Sequence, residues 1–180
     1  LNNLEKESFE ILIEREDILN RVDEISHEIS ENYKDCEEDV MLLGVMSGGI
    51  MFAGDIAKRV DINAPLYLDT MIIKSYGSGT ESNENPTIEY MPEDVAGRRI
   101  IIIEDIIDSG HTMRVAIEEL IKRRAISVEV CTLLSKESRR KVNIPIDYLG
   151  FEIPDKFVLG YGLDYNNRYR NFEDIVVKME

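Results

Sequence analysis

The stretch from Ile100 to Thr112 constrains the fold more than any other part of the chain. It reads Ile-Ile-Ile-Ile-Glu-Asp-Ile-Ile-Asp-Ser-Gly-His-Thr. The aliphatic run predicts a buried strand that ends at Glu104 and Asp105. The polar turn at Asp108–Thr112 then leads into a helix, where free backbone N–H groups and hydroxyls form an anion site. Three acids beside such a site indicate that they handle another group: sugar hydroxyls, a metal ion or a proton.

Strand and helix patterns alternate along the chain, which predicts one α/β domain with a mostly parallel twisted sheet flanked by helices. The predicted helices lie at about 15–34, 50–59 and 112–124, and the strands at 40–46, 65–76, 99–103, 127–134, 146–151 and 157–160. Ligands bind at the carboxyl ends of the strands in such sheets. We therefore expect Ser47-Gly48-Gly49, Asp108–Thr112 and Lys136, which each follow a predicted strand, to converge.

Charge and composition argue against several classes of function. The formal net charge of −15 disfavours a surface for nucleic acid or membrane. No stretch of the 180 residues approaches the apolar run of about 18 that a membrane span needs. Cys36 and Cys131 have no CxxC spacing, and the first residues lack the apolar run of a signal peptide. We therefore expect reduced thiols in a cytoplasmic protein.

Five segments resemble the hypoxanthine-guanine phosphoribosyltransferases. Ile101–Met113 resembles their phosphoribosyl-pyrophosphate motif, and Gly150–Arg170 resembles their purine-binding segment almost residue for residue. The other three are Gly44–Asp55 (pyrophosphate loop and following helix), Leu133–Lys136 (strand ending in a purine-reading lysine) and Ser75-Tyr76-Gly77 (start of a mobile lid). The resemblance covers about residues 15–175.

The resemblance implies a type I phosphoribosyltransferase fold, in which residues 1–180 form a single domain. Residues of about 1–14 and 145–180 would form a small hood over the sheet. The implied reaction, in purine salvage, transfers the phosphoribosyl group of 5-phosphoribosyl 1-pyrophosphate to N9 of hypoxanthine, guanine or both, giving IMP or GMP and pyrophosphate. The family also implies a Mg²⁺ cofactor and a homodimer or homotetramer, with Ser47–Asp55 near the interface.

By resemblance, the acids and the polar turn hold the sugar phosphate. Glu104 and Asp105 would hold the ribose hydroxyls and, with Asp164, the magnesium ion, which prefers hard oxygen ligands. Asp108 would be the base that handles the proton on purine N7. The 5′-phosphate would bind to Ser109, Gly110, His111 and Thr112, with His111 acting through its backbone N–H. The pyrophosphate would bind to Ser47, Gly48 and Arg170, and the lid would begin at Ser75 and Tyr76.

The purine, by the same resemblance, would lie against Lys136, Phe157, Val158 and Asp164. Lys136 would donate to purine O6, and a lysine selects a carbonyl over an amino group because its donors cannot pair with another donor. Phe157 would stack on the ring. The Val158 backbone would read the purine edge, and Asp164 would lie near the purine amino edge.

Each assignment has a plain structural alternative. The acid pair would also suit a solvated turn or a helix cap, and Asp108 or Ser109 would suit an N-cap for the helix that follows. Lys136 would otherwise extend from a strand end to solvent, and Phe157 would be a core residue. The remaining alternatives are a surface ion pair for Arg170 and a solvated helix end for Lys122-Arg123-Arg124; His27 is expected to be exposed.

Two departures from the family pattern bear on activity. Ser47 stands where the family usually has lysine. Serine can serve if the loop binds pyrophosphate through backbone N–H groups, whereas the affinity for pyrophosphate or substrate should fall if the lysine ammonium matters. Glu81 and Glu84 add negative charge to a lid that would close over anions.

Two other functions stay open on sequence grounds. One is a regulator that keeps this fold to sense nucleotides while binding nucleic acid, which would need a basic face. The other is an enzyme for a different base such as xanthine, which the acid at Asp164 disfavours.

Overall fold

The computed structural model describes residues 8–74 and 86–179. In chain order the elements are β1 (Phe9–Ile13), α1 (Arg15–Tyr33), β2 (Val40–Met46), α2 (Ile50–Ala57), β3 (Leu66–Lys74), β4 (Thr87–Tyr90), β5 (Arg99–Ile107), α3 (His111–Lys122), β6 (Ser127–Ser135), a 3-10 helix (Glu137–Arg139), β7 (Tyr148–Glu152), β8 (Val158–Leu159) and β9 (Ile175–Lys178).

Six strands form the central sheet in the order β4-β3-β2-β5-β6-β7. Strands β3, β2, β5, β6 and β7 are parallel to their neighbours, and only the edge strand β4 runs antiparallel, beside β3. This arrangement confirms the predicted mostly parallel sheet. It also places the ends of β2, β5 and β6 side by side at one edge.

Helices cover both faces of the sheet, because side chains alternate along each buried strand. In β2, Leu42 packs in the cluster that holds α1 and α2, whereas Leu43 packs in the cluster that holds α3. The first helix buries a full stripe of residues: Ile18, Val22, Ile25, Ile29 and Tyr33. On the opposite face α3 buries Met113, Ala116 and Leu120. The result is a three-layer α/β arrangement with its loops gathered at the strand ends.

A second, three-stranded antiparallel sheet joins the two ends of the described chain, in the order β1-β9-β8. Ile13 pairs with Ile175, and Val158 pairs with Val177. This sheet lies within the segments expected to form the hood, whereas β7 pairs with β6 in the central sheet. The bounds of the hood, 1–14 and 145–180, stay a prediction.

Several element ends differ from the prediction. Strand β5 continues to Ile107, so Glu104 and Asp105 lie inside the strand, because β6 pairs with it as far as Ser135. Met51 in α2 and Ile121 in α3 are large apolar residues, and both are exposed. The sequence pattern did not indicate β1, β4 and β9, which are short strands; β1 and β9 take each other as partners from opposite ends of the chain.

Three smaller expectations are also answered by the described residues. Cys36 and Cys131 are free, and His27 is exposed on α1, as predicted. No helix among residues 8–74 and 86–179 has the length and apolar character to cross a membrane.

Candidate active site

The loops after β2, β5 and β6 meet at the carboxyl edge of the central sheet, where a cavity of about 470 Å³ opens. Its lining consists of Asp105, Ile106, Asp108, Lys136, Arg139, Asp155, Phe157, Val158, Leu163 and Asp164. The residues that were singled out for purine binding therefore lie together, and the proposed base Asp108 shares their cavity. These residues come from separate parts of the chain, and they lie together because the segments that carry them meet at the same edge of the sheet.

The acid pair lies within β5, near its carboxyl end, and both carboxylates accept hydrogen bonds from the strand backbone. Glu104 is buried, and its Oε1 accepts a hydrogen bond from the backbone N–H of Asp105 at 3.2 Å. Asp105 Oδ1 accepts one from the N–H of Ile106 at 2.8 Å. Burial, reinforced by the negative charge of Asp105, raises the pKa of Glu104 well above its usual value, and burial also raises the pKa of Asp105. Two crowded carboxylates of this kind favour a cation or a hydroxyl donor beside them.

Gly48 brings the loop after β2 directly against the acid pair. A Cβ atom on Gly48 would lie 1.6 Å from Asp105 Oδ2, so only glycine permits this approach. Gly162 closes the other side with a φ of +102°, and a Cβ there would lie 2.1 Å from the Gly48 carbonyl oxygen. Among the described residues, the backbone N–H groups of Ser47 and Gly48 have no hydrogen-bond partner. The loop thus presents free donors next to Asp105.

Arg170 also lies near Asp105, and its guanidinium group already has two partners. Its Nη1 donates to the Gly162 carbonyl at 2.6 Å, and its Nη2 lies 2.8 Å from Asp164 Oδ1. Arg170 also lowers the proton affinity of Asp105 through its charge, although burial dominates the pKa. The structure therefore joins Arg170 and Asp164, which the sequence reasoning had assigned to different substrates.

The turn after β5 forms an open cradle at the start of α3. The helix begins at His111 with Gly110 as N-cap at a φ of +89°, so neither Asp108 nor Ser109 occupies the N-cap position. The Ser109 carbonyl accepts from Lys141 and Val142, both at 3.0 Å. Within the described residues the N–H groups of Ser109, Gly110 and Thr112 have no partner. Free N–H groups at a helix N-terminus favour an anion.

His111 has a feature that the sequence did not indicate. Its backbone N–H lies 3.5 Å from Ser109 Oγ, as a donor. Its imidazole is buried, and neither ring nitrogen has a hydrogen-bond partner. Buried polar atoms are seldom left unpaired, so the ring stands as an unused donor or acceptor beside the cradle.

Asp108 stands at the entrance of the cradle with one carboxylate oxygen only partly satisfied. Arg139 Nε lies 3.0 Å from Asp108 Oδ1, but the angle does not make a hydrogen bond, and this buried oxygen accepts none. The Asp108 backbone carbonyl accepts from Arg140 Nε at 3.2 Å. The carboxylate is thus held beside a cation while it keeps the capacity to accept further hydrogen bonds.

One side of the cavity combines a buried cation with an exposed ring. Lys136 is buried, and its backbone N–H donates to the Ile107 carbonyl at 3.0 Å, so the solvated-lysine alternative is wrong. Phe157 is 53% exposed and meets Tyr165 edge-to-face at 5.8 Å between centroids, so it is not a core residue. Val158 is buried in β8, directly after this ring. A flat ring beside a buried ammonium suits a planar ligand with an acceptor oxygen.

Some assigned residues lie outside this geometry. Ser75 and Tyr76, together with the acidic positions Glu81 and Glu84, fall outside the described residues. Within the described residues, no three His, Cys, Asp or Glu side chains lie close enough to hold a metal ion by themselves. Glu104 and Asp105 would therefore supply only part of a magnesium shell, which agrees with the habit of Mg²⁺ to take one or two carboxylates plus substrate oxygens and water.

Sequence reasoning missed Arg139, Arg140 and Asp155 as members of the site. The available signal was the adjacent pair Arg139-Arg140, which follows Lys136 just after the end of β6. Arg140 ties this segment to the site, since its Nη2 donates to Ser135 Oγ at 2.8 Å.

Comparisons with known proteins agree with the geometry. The family model for the phosphoribosyl transferase domain matches residues 11–166. The hypoxanthine-guanine phosphoribosyltransferase of Bacillus subtilis is 43% identical over 168 residues, covering 93% of this chain and 91% of the relative. The hypoxanthine phosphoribosyltransferase of Escherichia coli K12 is 41% identical over 167 residues, covering 92% and 93%.

A solved structure extends this likeness to three dimensions. The crystal structure of a hypoxanthine phosphoribosyltransferase from Staphylococcus aureus superposes with a TM-score of 0.87 at 37% identity, covering 94% of this chain and 91% of that one. The resemblance found in the sequence is thereby confirmed over nearly the whole chain. The chain belongs to the phosphoribosyl transferase domain family, among the hypoxanthine and hypoxanthine-guanine phosphoribosyltransferases.

Proposed function

We propose that this protein transfers the phosphoribosyl group of 5-phosphoribosyl 1-pyrophosphate to N9 of hypoxanthine, guanine or both, in purine salvage. The observation that carries the proposal is the single cavity shared by Lys136, Phe157 and Asp108 at the end of β5. It combines a flat apolar surface, a buried donor and an acceptor carboxylate. Those are the three features that a 6-oxopurine needs.

Purine selection rests on Lys136 and Phe157. The Lys136 ammonium offers donors only, so it accepts the O6 carbonyl of hypoxanthine or guanine and opposes the amino group of adenine. Stacking on Phe157 contributes about 1–3 kcal/mol, as for bases on aromatic platforms. Val158 supplies backbone groups for the purine edge, and Asp164 lines the cavity beside it.

Proton transfer rests on Asp108. In the forward reaction the carboxylate takes the proton from purine N7 while N9 bonds to the ribose carbon and pyrophosphate departs. The proposal is supported by the position of Asp108 in the lining of the cavity that also holds Lys136 and Phe157.

Anion binding is divided between two loops. The free N–H groups of Ser109, Gly110 and Thr112 would hold the 5′-phosphate, and those of Ser47 and Gly48, with Arg170, would hold pyrophosphate. Glu104 and Asp105 would bind the ribose hydroxyls and Mg²⁺, with Asp164 beside them. When bound, Mg²⁺ would neutralise pyrophosphate oxygens as that group leaves. Because Ser47 replaces the usual lysine, the pyrophosphate subsite would rely on backbone donors.

A homodimer or homotetramer is also part of the proposal. Ile50 and Met51 on α2 and Leu68 on β3 are large apolar residues that are exposed, and Ser47–Asp55 is the segment expected near an interface. Light scattering coupled to gel filtration would measure the mass of the particle, and a monomer would contradict this part.

The reaction is tested by a spectrophotometric assay of hypoxanthine, guanine, xanthine and adenine, each with phosphoribosyl pyrophosphate and Mg²⁺. We expect turnover of hypoxanthine or guanine and none of adenine. Turnover of adenine would contradict the role of Lys136. Failure with all four bases would contradict the proposed function, and a gel shift at low salt would then test the nucleotide-sensing regulator.

A further inference from the structure

Four side chains of alternating charge run across the purine cavity. Arg139 Nε lies 3.0 Å from Asp108 Oδ1, and Arg139 Nη1 donates to Asp155 Oδ1 at 3.3 Å. The same Asp155 oxygen lies 3.7 Å from Lys136 Nζ. The order Asp108, Arg139, Asp155, Lys136 thus links the proposed base to the proposed purine-reading lysine.

Asp155 lies beside two cations, and its contact with Arg139 is shorter than its contact with Lys136. Its oxygen accepts a hydrogen bond from Arg139, whereas its 3.7 Å separation from Lys136 Nζ is too long for one. The Lys136 side chain is only 8% exposed, so a carboxylate close to it would bind it strongly. Asp155 is 53% exposed, so its side chain is not confined by packing on all sides. An Asp155 that closed on Lys136 would take donors that purine O6 needs.

The geometry of Arg139 suits it to hold Asp155 back. Its backbone N–H donates to the Lys136 carbonyl at 3.1 Å, so a short 3-10 turn fixes the arginine relative to the lysine. Its Nε and Nη1 lie against two different carboxylates. A planar guanidinium presents several donors in a fixed arrangement and can bridge two such groups, whereas an ammonium group acts as a single point charge.

We propose that Arg139 is a positioning residue for purine recognition: by bridging Asp108 and Asp155, it keeps Asp155 off Lys136 and leaves the Lys136 donors free for the 6-oxo group. This inference rests on the proposed function, because it assigns Arg139 a part in the same base site. Arg139 does not itself take part in the chemistry.

The test compares Arg139→Gln with Lys122→Gln, which removes the same charge from an exposed side chain at the end of α3. We expect Arg139→Gln to raise the KM for hypoxanthine by about fivefold, the scale of a partly exposed ion pair. The KM for phosphoribosyl pyrophosphate should change little. Lys122→Gln should leave both values at the wild-type level.

A second substitution separates positioning from general damage. Adding Asp155→Asn to Arg139→Gln removes the carboxylate that would close on Lys136, so the KM for hypoxanthine should return most of the way to wild type. A loss caused by misfolding or by disturbance of Asp108 alone would not be restored in this way.

Three results would overturn the inference. The KM for the base could stay unchanged in Arg139→Gln, the double variant could be no better than the single one, or the KM for phosphoribosyl pyrophosphate could rise equally. Wild-type turnover is measured first, with hypoxanthine and guanine. Its absence would contradict the proposed function itself, and the inference would fall with it, whereas normal wild-type turnover with an unaffected Arg139→Gln contradicts the inference alone.

Discussion

At the scale of single residues, the site contains buried polar atoms that have no hydrogen-bond partner. Asp108 has a buried carboxylate oxygen that lies beside Arg139 and accepts no hydrogen bond. The His111 ring has two unpaired nitrogens. Unpaired buried atoms usually cost stability, and both occur beside the anion cradle, where a ligand would supply the missing partners.

Asp108→Asn tests the proton-transfer role. An amide keeps the size of the carboxylate but cannot take a proton from purine N7, so kcat should fall about 10²–10⁴-fold, the usual contribution of a general base. Circular dichroism and the melting temperature should stay close to wild type, and the exposed Asp35→Asn serves as the matched control. A variant that keeps wild-type kcat would remove Asp108 from this role.

At the scale of elements, the loop after β2 closely approaches the end of β5, and this contact assembles the half of the site that we propose to bind anions. Gly48 and Gly162 make this approach possible because neither carries a Cβ atom. The two glycines are distant in sequence, so their contact depends on the way the folded sheet positions the two segments that carry them.

Gly48→Ala tests this approach. The added Cβ meets the end of the Asp105 side chain rather than backbone, so Asp105 should rotate away and the fold should survive. Activity should fall on the order of 10²-fold, as for a misplacement of about 1 Å in a site. Gly54→Ala in α2 is the control, since its Cβ meets nothing within 4 Å. It should keep activity and add roughly 0.5–1 kcal/mol of stability. Equal activity in the two variants would contradict the argument.

At the scale of the whole molecule, the acid pair makes stability depend on pH. Because burial raises the pKa of Glu104 in the folded state, the folded protein binds its proton more tightly than the unfolded chain does. The stability is therefore greatest below the unfolded pKa of about 4.3 and falls as the pH rises through the folded value. Above the folded pKa of Glu104, its buried charge therefore lowers the stability of the fold.

Glu104→Gln should therefore stabilise the protein at pH 8, by roughly 0.5–2 kcal/mol as in other stabilising site substitutions, which raises Tm by a few degrees. The gain should shrink near pH 4.5, where wild-type Glu104 is protonated on folding. Activity should fall, since the substitution removes a group expected to bind ribose and Mg²⁺. The exposed Glu118→Gln is the control, and an equal gain at both pH values would contradict the prediction.

The alternation of apolar runs with helical stripes was enough to predict the parallel sheet and the helices α1 to α3. It failed at Glu104 and Asp105, where the strand continues through two acids because β6 supplies the ladder partners. It also failed for β1 and β9, each of which is short and takes its partner from the other end of the chain. Lys136 and Phe157 were assigned from local resemblance, and the structure places both in one cavity.

The sequence by itself determined the family and the polar turn that leads into α3, because both depend on residues that are adjacent in the chain: a strand, a turn with Gly110 and a helix start. Only the tertiary structure decided which charged side chains lie in contact with one another. The contact of Gly48 with Asp105 and the bridge from Asp108 through Arg139 to Asp155 join segments that are far apart in sequence. Such contacts depend on how parallel strands align at one edge of the sheet, and a local pattern carries no information about that alignment.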